Sequence, residues 1–369
     1  MPAIQAKIVG DFCNLRCSYC RDRDFDQGGK RVMSTVVLQL LISSLAQLPQ
    51  GLQRMHWLGG EPTLAGLDFF KEAVRLQKTQ THKHWVNTIQ TNATLVDHEW
   101  AKFFKAHDFK VGVSVDGTSQ THDADRINLT GHGSYAKVMS GVGVLREAGI
   151  HPSVICVVTN RNAVMGAQML RGLVESGFTN IAFNAFYNTA TDPRSDPFAV
   201  SDKAWTQFLK DIFEEWIRLD RADVQVRELD SMIAWTQGRS AQSCVFRGSC
   251  SSWMLVDHDG KVYPCERLGR SVCFGDVSSV DSFTEIIEAP AHRTFTAQTL
   301  RMPDKCKTCA MQDFCHNGCV AHRIDDGDTS PHYAYCGSRL AFHDYLTEHI
   351  GAVNGVAAPT VLMPNTFGN

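Results

Sequence analysis

From residue 4 to residue 219 the chain alternates short apolar runs with amphipathic stretches, and this alternation restricts its fold more than any other feature. Residues 4–10 (IQAKIVG), 54–58 (RMHWL), 85–91, 110–115, 153–158 and 180–185 read as strands. Residues 34–48, 65–80, 97–107, 134–148, 163–176 and 202–219 read as helices. In the first of these, Val37, Leu40, Leu41, Leu45 and Leu48 recur at helical spacing. Six strand–helix units in strict alternation predict a parallel sheet, because parallel neighbours need a long crossover and a helix supplies it. With right-handed crossovers the class is α/β, either a doubly wound sheet or a barrel, complete or partial. Periodicity alone does not choose between them. In both, ligands gather at the C-terminal ends of the strands. The cysteine loop at 13–20, GGEP at 59–62, QTN at 90–92 and SVDG at 114–117 all follow strands and share that rim.

Thirteen cysteines in 369 residues need a reason. A disulfide framework suits short secreted chains with little core, whereas this chain is 43% hydrophobic. The spacings are those of metal ligands. Cys13, Cys17 and Cys20 read C-x3-C-x2-C; Cys306, Cys309, Cys315 and Cys319 read C-x2-C-x5-C-x3-C. On spacing alone the second run suits a zinc ribbon. The first offers three thiols where a structural zinc site closes with four, and His56, His82 and His84 are the available fourth zinc ligands. An iron–sulfur cubane on three thiolates would instead leave one iron open to an exogenous ligand. Cys156, inside the apolar run SVICVVT, and Cys273, outside every ligand spacing, read as buried small hydrophobes.

Beyond about residue 236 the alternation stops, and turns and short pieces take over. Such a segment has too little apolar periodicity for a core unless bound metal adds folding free energy. The expected organisation is a core domain at 1–235, a metal-dependent domain at 240–349 and a small-residue tail at 350–369. A net charge of −3 offers neither a nucleic-acid surface nor a polybasic membrane patch. No signal peptide pattern opens the chain and no apolar run approaches a membrane span. These features predict a cytoplasmic protein with no nucleic-acid or membrane partner.

Taken together, the triplet, GGEP and the cysteines Cys244, Cys250, Cys265 (in GKVYPC), Cys306, Cys309, Cys315, Cys319 and Cys336 carry a resemblance. They resemble the radical S-adenosylmethionine (SAM) superfamily with its SPASM extension. GGEPTLAGLDFF, NTIQTNATLVDHEWAKFF and VGVSVDG are similar to the anaerobic sulfatase-maturating enzymes in particular, and the resemblance spans about residues 6–345. It implies a partial (β/α)6 TIM-like barrel followed by a small, irregular, cluster-binding SPASM domain. It implies SAM and three [4Fe–4S] clusters as cofactors. Cys13, Cys17 and Cys20 would hold the cluster that binds SAM. Cys244, Cys250, Cys265 and Cys319 would hold one auxiliary cluster, and Cys306, Cys309, Cys315 and Cys336 the other. Backbone at Gly59, Gly60 and Glu61 would meet the SAM amine, Ser114 and Arg126 its polar groups, and Tyr19 and Val158 its adenine. Asn92 joins these contacts.

The implied chemistry is reductive cleavage of SAM to a 5′-deoxyadenosyl radical, which takes hydrogen from an unactivated C–H. A carboxylate, Glu266 or else Asp116, then takes a proton, and the auxiliary clusters accept an electron. The product is oxidised by two electrons to a carbonyl, a double bond or a cross-link. The implied partners are a peptide or protein substrate and an external donor such as flavodoxin or ferredoxin. A leader-binding chain, if required, would be separate. The pattern departs from the sulfatase maturases at four places. Asp22 stands where tyrosine is usual, Leu58 for glutamine, Ala93 for glycine and Glu266 for aspartate. The expected function is therefore oxidation or cross-linking of a peptide side chain. Formylglycine formation on a sulfatase, or dehydrogenation of a small molecule such as a sugar, are the alternatives.

Overall fold

The computed structural model describes residues 2–21, 31–49, 51–187, 196–239, 243–246, 250–324 and 331–349. The tail expected at 350–369 and Asp22 lie outside the described residues. In chain order the first elements are β1 (Ala3–Lys7), α1 (Thr35–Ala46), β2 (Leu52–Leu58), α2 (Leu67–Thr79), β3 (His84–Thr91), α3 (His98–Ala106) and β4 (Lys110–Ser114). There follow α4 (Ser119–Asp123), α5 (Tyr135–Glu147), β5 (Ser153–Val158), α6 (Gly166–Glu175), β6 (Asn180–Ala185) and α7 (Asp202–Leu219). Next come β7 (Gln225–Val226), α8 (Arg227–Thr236), β8 (Trp253–Asp257), β9 (Lys261–Tyr263), β10 (Gly275–Asp276), α9 (Phe283–Glu288) and α10 (Pro290–Thr299). The last are α11 (Asp304–Lys307), α12 (Gln312–Cys315), β11 (Arg323–Ile324), β12 (His332–Tyr333) and α13 (Cys336–His349).

The chain forms two compact units. One contains Met1–Val113, Arg126–Pro152 and Cys250–Thr299; the other contains Ser114–Asp125, Ser153–Ser249 and Leu300–Asn369. In the first unit β1, β2, β3 and β4 pair in chain order, all parallel. The strand β8 adds parallel to the other edge of β1, Ala3 opposite Trp253 through Lys7 opposite Asp257, and β9 and β10 follow antiparallel. Both edges of β1 are thus occupied. Ile4, Ala6 and Ile8 are fully buried, which is why this strand reads as an almost unbroken apolar run. Edge-to-face contacts from Trp57 through Phe70 to Trp100 and Phe109 fill the space under α2 and α3.

In the second unit β5, β6 and β7 are parallel, with Val154 opposite Ile181 and Asn180 opposite Gln225. Helix α7 buries Trp205, Phe208, Leu209, Ile212, Phe213 and Trp216, a stripe at helical spacing. Its Phe213 meets Phe342 of α13 edge to face at 6.2 Å. Among the described residues no helix is long and apolar enough to cross a membrane.

The expected elements occur with small shifts that have local causes. β1 stops at Lys7, short of residue 10, because the chain turns there: Gly10 has φ +58° and donates its N–H to the Lys7 carbonyl. α2 starts at Leu67 because Pro62–Ala65 forms a 3-10 turn, capped by the Glu61 side chain. Strand β8 was not expected as part of this sheet.

Candidate active site and cysteine clusters

Within the first unit, the loops after β1, β2 and β3 are tied together by buried polar groups. Gly60 and Glu61 donate their N–H groups to the carbonyls of Gly10 and Phe12, at 2.8 and 2.9 Å. The approach is so close that a Cβ on Gly60 would lie 2.0 Å from the Phe12 oxygen, so only glycine fits. With those donors engaged, the turn has its carbonyls to offer a cationic amine. Glu61 is 1% exposed. Its Oε1 accepts from Thr63 N–H (3.0 Å), Thr63 Oγ1 (2.6 Å) and Thr91 Oγ1 (2.7 Å), and Oε2 accepts from Asn92 N–H at 2.7 Å. Burial pushes the Glu61 carboxyl above the usual range, while these donors pull the other way. Its side chain is therefore a strut joining GGEP to QTN.

Asn92 extends the strut to the cysteine loop. Its Nδ2 donates to Asn14 Oδ1 at 2.8 Å and points at Cys13 Sγ at 3.8 Å, while its Oδ1 accepts from Thr94. Asn14 in turn donates to Thr94 Oγ1 at 2.8 Å. Burial, then the Glu61 charge, push the Cys13 thiol up to about 12, with Cys17 and Cys20 contributing in the same direction. Cys17 and Cys20 are thus both within electrostatic reach of Cys13. Ala93 has φ +59°, in the left-handed region that favours glycine, which accounts for glycine being usual there. On the far side of the cysteine loop, Arg16 donates its N–H to the Ile127 carbonyl at 2.7 Å, and the Arg126 guanidinium lies 5.6 Å from the centre of the Tyr19 ring. Both Tyr19 and Arg126 are buried.

Glu266 belongs to the same unit. Lys7, at the end of β1 and only 4% exposed, donates to Glu266 Oε1 at 3.2 Å and pairs with Asp11 at 2.6 Å. Arg270 bridges Asp11 to Asp257, and together with Lys7 it holds the Asp11 carboxyl below its usual range against the effect of burial. Gln5 accepts the Glu266 N–H at 2.8 Å, and Arg21 donates to the carbonyls of Glu266 and Arg267. Leu58 packs with Leu255 and Tyr263 in a buried apolar cluster, so it fills core here.

In the second unit Asp116 is fully buried, and its Oδ1 accepts the N–H of Val157 at 2.8 Å. This carboxylate stitches the SVDG loop to β5. Val158 is buried on the same strand, and Ser114, the last residue of β4, is half-buried.

The C-terminal cysteines Cys306, Cys309, Cys315 and Cys336 form a group within this unit. Burial pushes the Cys306 thiol up, and Cys315, Cys336 and Cys309 add to that; Cys336 responds in the same way to Cys315 and Cys309. His316, Asn317 and Gly318 take three successive left-handed conformations between Cys315 and Cys319. Buried Asn317 fixes that turn: its Oδ1 accepts from Tyr333 N–H at 3.0 Å and its Nδ2 donates to the Pro331 carbonyl at 3.1 Å. A Cβ on Gly318 would meet the Tyr333 ring at 2.4 Å. Of the remaining set, Cys250 and Cys265 belong to the first unit and Cys244 and Cys319 to the second.

The sulfurs suit iron–sulfur ligation better than zinc. Among the described residues no three of them lie within 4.8 Å of one another. Tetrahedral zinc, with Zn–S about 2.3 Å, would hold them about 3.8 Å apart. Donors already point at several: Leu15 N–H at Cys13 Sγ, Met311 N–H at Cys309 Sγ and Arg339 at Cys315 Sγ. Thiolates of a cluster accept such bonds.

Cys156 is fully buried in β5, as expected. Cys273 corrects the expectation: it is exposed, because it sits in the turn before the short edge strand β10. Replacing Cys156 by alanine and Cys273 by serine should leave the iron content unchanged. Loss of a whole cluster in either variant, measured as iron per chain, would show that the ligand register is wrong.

Lys7, Asn14, Asn317 and Arg339 were not anticipated. Lys7 had a signal, since a lysine inside a buried apolar strand needs a counter-charge.

The Radical SAM superfamily profile matches residues 7–167, and the SPASM iron–sulfur cluster-binding profile matches residues 244–310. The chain is 28% identical over 325 residues to the cysteine-type anaerobic sulfatase-maturating enzyme of Clostridium novyi (strain NT), covering 85% of this chain and 86% of that one. It is 28% identical over 358 residues to the serine-type enzyme of Bacteroides thetaiotaomicron, with coverage of 89% and 86%. The solved structure of native anSMEcpe with bound AdoMet and the Kp18Cys peptide superposes with a TM-score of 0.86 at 26% identity, over 96% of this chain and 100% of that one.

Proposed function

Because this chain is a radical SAM enzyme with a C-terminal SPASM domain, resembling the anaerobic sulfatase-maturating enzymes, we propose that it oxidises a side chain of a peptide or protein by two electrons. One observation supports this reading above others. The unit that carries the triplet and GGEP also carries an acidic residue, Glu266, held in place by buried Lys7 and by Gln5.

Cys13, Cys17 and Cys20 would hold a [4Fe–4S] cluster, the missing fourth thiol leaving room for SAM. Bound together, that cluster and SAM supply the 5′-deoxyadenosyl radical that removes hydrogen from an unactivated C–H. The carbonyl side of the Gly59–Gly60–Glu61 turn would accept from the SAM amine. Arg126 would face its carboxylate, with Ser114 and Asn92 as further polar contacts. Tyr19 and Val158 would border the adenine. Cys244, Cys250, Cys265 and Cys319, and separately Cys306, Cys309, Cys315 and Cys336, would hold two further clusters as electron acceptors. Glu266 would take the proton that leaves the substrate heteroatom. Asp116, whose carboxylate already holds Val157, is the lesser candidate. An external donor such as flavodoxin or ferredoxin would supply the first electron, and a leader-binding chain, if required, would be separate. We assign the radical chemistry to residues 1–235 and the auxiliary clusters to 240–349.

A sulfatase is the second candidate substrate, favoured by cysteine- and serine-type relatives that align over at least 85% of the chain. Leu58 and Glu266 set this chain apart from them. The test is anaerobic turnover with SAM and a reductant, offering cysteine- and serine-containing peptides beside a simple sugar. A peptide that loses two hydrogens or gains a carbonyl, in step with 5′-deoxyadenosine, is the expected result. Turnover of the sugar alone would overturn the reading.

A further inference from the structure

Arg339 lies in the first turn of α13, three residues after Cys336, and is 6% exposed. Its guanidinium carbon sits 4.3 Å from the centre of the Phe246 ring and 4.4 Å from that of Tyr333. Phe314 stacks on Phe246 at 4.5 Å and Trp235 stacks on Phe314 at 5.0 Å, so an aromatic slab closes one side. Its Nη1 donates to Cys315 Sγ at 3.0 Å and reaches the Val245 carbonyl at 3.5 Å. Among the described residues no carboxylate lies within ion-pair distance of it.

A buried cation without a counter-charge is costly. Two aromatic faces offset part of that cost. What remains is a positive charge aimed at a cysteine sulfur among four grouped cysteines. Four thiolates on a cubane make a net anion, and reduction adds one electron and no proton, so the anion grows by one charge. A fixed cation in a water-poor setting stabilises the reduced form more than the oxidised form.

Building on the assignment of Cys306, Cys309, Cys315 and Cys336 to one cluster, we propose that Arg339 raises the reduction potential of that cluster. It thereby favours acceptance of the electron released by the substrate radical once its proton has gone to Glu266. In this proposal Arg339 is a positioning residue that acts through Cys315. A role confined to anchoring α13 would leave the potential unmoved.

The experiment uses the full chain reconstituted with iron and sulfide, in a background with Cys13, Cys17 and Cys20 replaced by alanine, so that only the two auxiliary clusters report. Metal content is measured first. Zinc in place of iron, or a single auxiliary cluster, would overturn the underlying cluster assignment before any potential is read. Midpoint potentials then come from redox titration followed by electron paramagnetic resonance. In Arg339→Met one of the two potentials is expected to fall by about tenfold in reduction equilibrium constant, about 59 mV for one electron. The other should move less, although Cys319 is also within electrostatic reach of Arg339. Arg339→Gln keeps a hydrogen-bond donor without the charge, and it should show the same fall if the methionine variant does not retain its iron. Two unchanged potentials at full iron content, in whichever variant retains it, would overturn the proposal.

Discussion

Replacing Cys13, Cys17 and Cys20 together by alanine is expected to abolish SAM cleavage while leaving about 8 of about 12 iron atoms per chain, if each of the three proposed cysteine groups holds a four-iron cubane. The triplet sits in one loop whose backbone is locked to GGEP by the Gly60 and Glu61 amides and whose Asn14 side chain accepts from Asn92 of QTN. Removing the thiols takes away the iron that would bind SAM but leaves those hydrogen bonds in place. The fold should therefore survive, with the remaining clusters visible by their absorbance. Retained SAM cleavage, or loss of all iron, would contradict the separation of one catalytic site from two auxiliary ones.

Glu266→Gln carries the second large effect. A carbon radical beside a heteroatom becomes a far better reductant once the heteroatom gives up its proton, so a base belongs near an electron acceptor. Glu266 directly follows Cys265, and its Oε1 lies 3.2 Å from Lys7 Nζ. Glutamine keeps the shape and removes the charge. Lys7 still has Asp11 at 2.6 Å, so the variant should fold. SAM cleavage and hydrogen abstraction should continue, while oxidised product falls by about 10²–10⁴-fold, the usual worth of a general base. Hydrogen returned from 5′-deoxyadenosine to the substrate would appear as label exchange without turnover. Full product formation would remove Glu266 from the mechanism and leave Asp116 or Asp22 as the carboxylate to test.

Periodicity made the strand–helix core legible because its burial is local. α7 advertises its buried stripe within one helix, and β1 to β6 each carry their own apolar run. Strand β8 hid because WMLVD is too short to announce a partner, and its neighbour β1 lies about 250 residues away in sequence. The cysteines of the site were legible from spacing, but the groups that hold them were not. The Lys7–Glu266 pair spans 259 positions, and Arg339 of α13 reaches Cys315 of α12 across 24. Such contacts depend on tertiary placement, which no local pattern encodes. Cys273 was misread for the converse reason, since a cysteine without a ligand spacing is usually buried, and this one lies in an exposed turn.

The most direct test of the account follows hydrogen from substrate to cofactor. A peptide carrying deuterium at the β-carbon of its cysteine or serine is incubated anaerobically with the reconstituted enzyme, SAM and reductant, and the 5′-deoxyadenosine is weighed by mass spectrometry. One deuterium is expected in 5′-deoxyadenosine, formed in proportion to oxidised peptide and absent without the triplet cysteines. Oxidised peptide accompanied by unlabelled 5′-deoxyadenosine would contradict it.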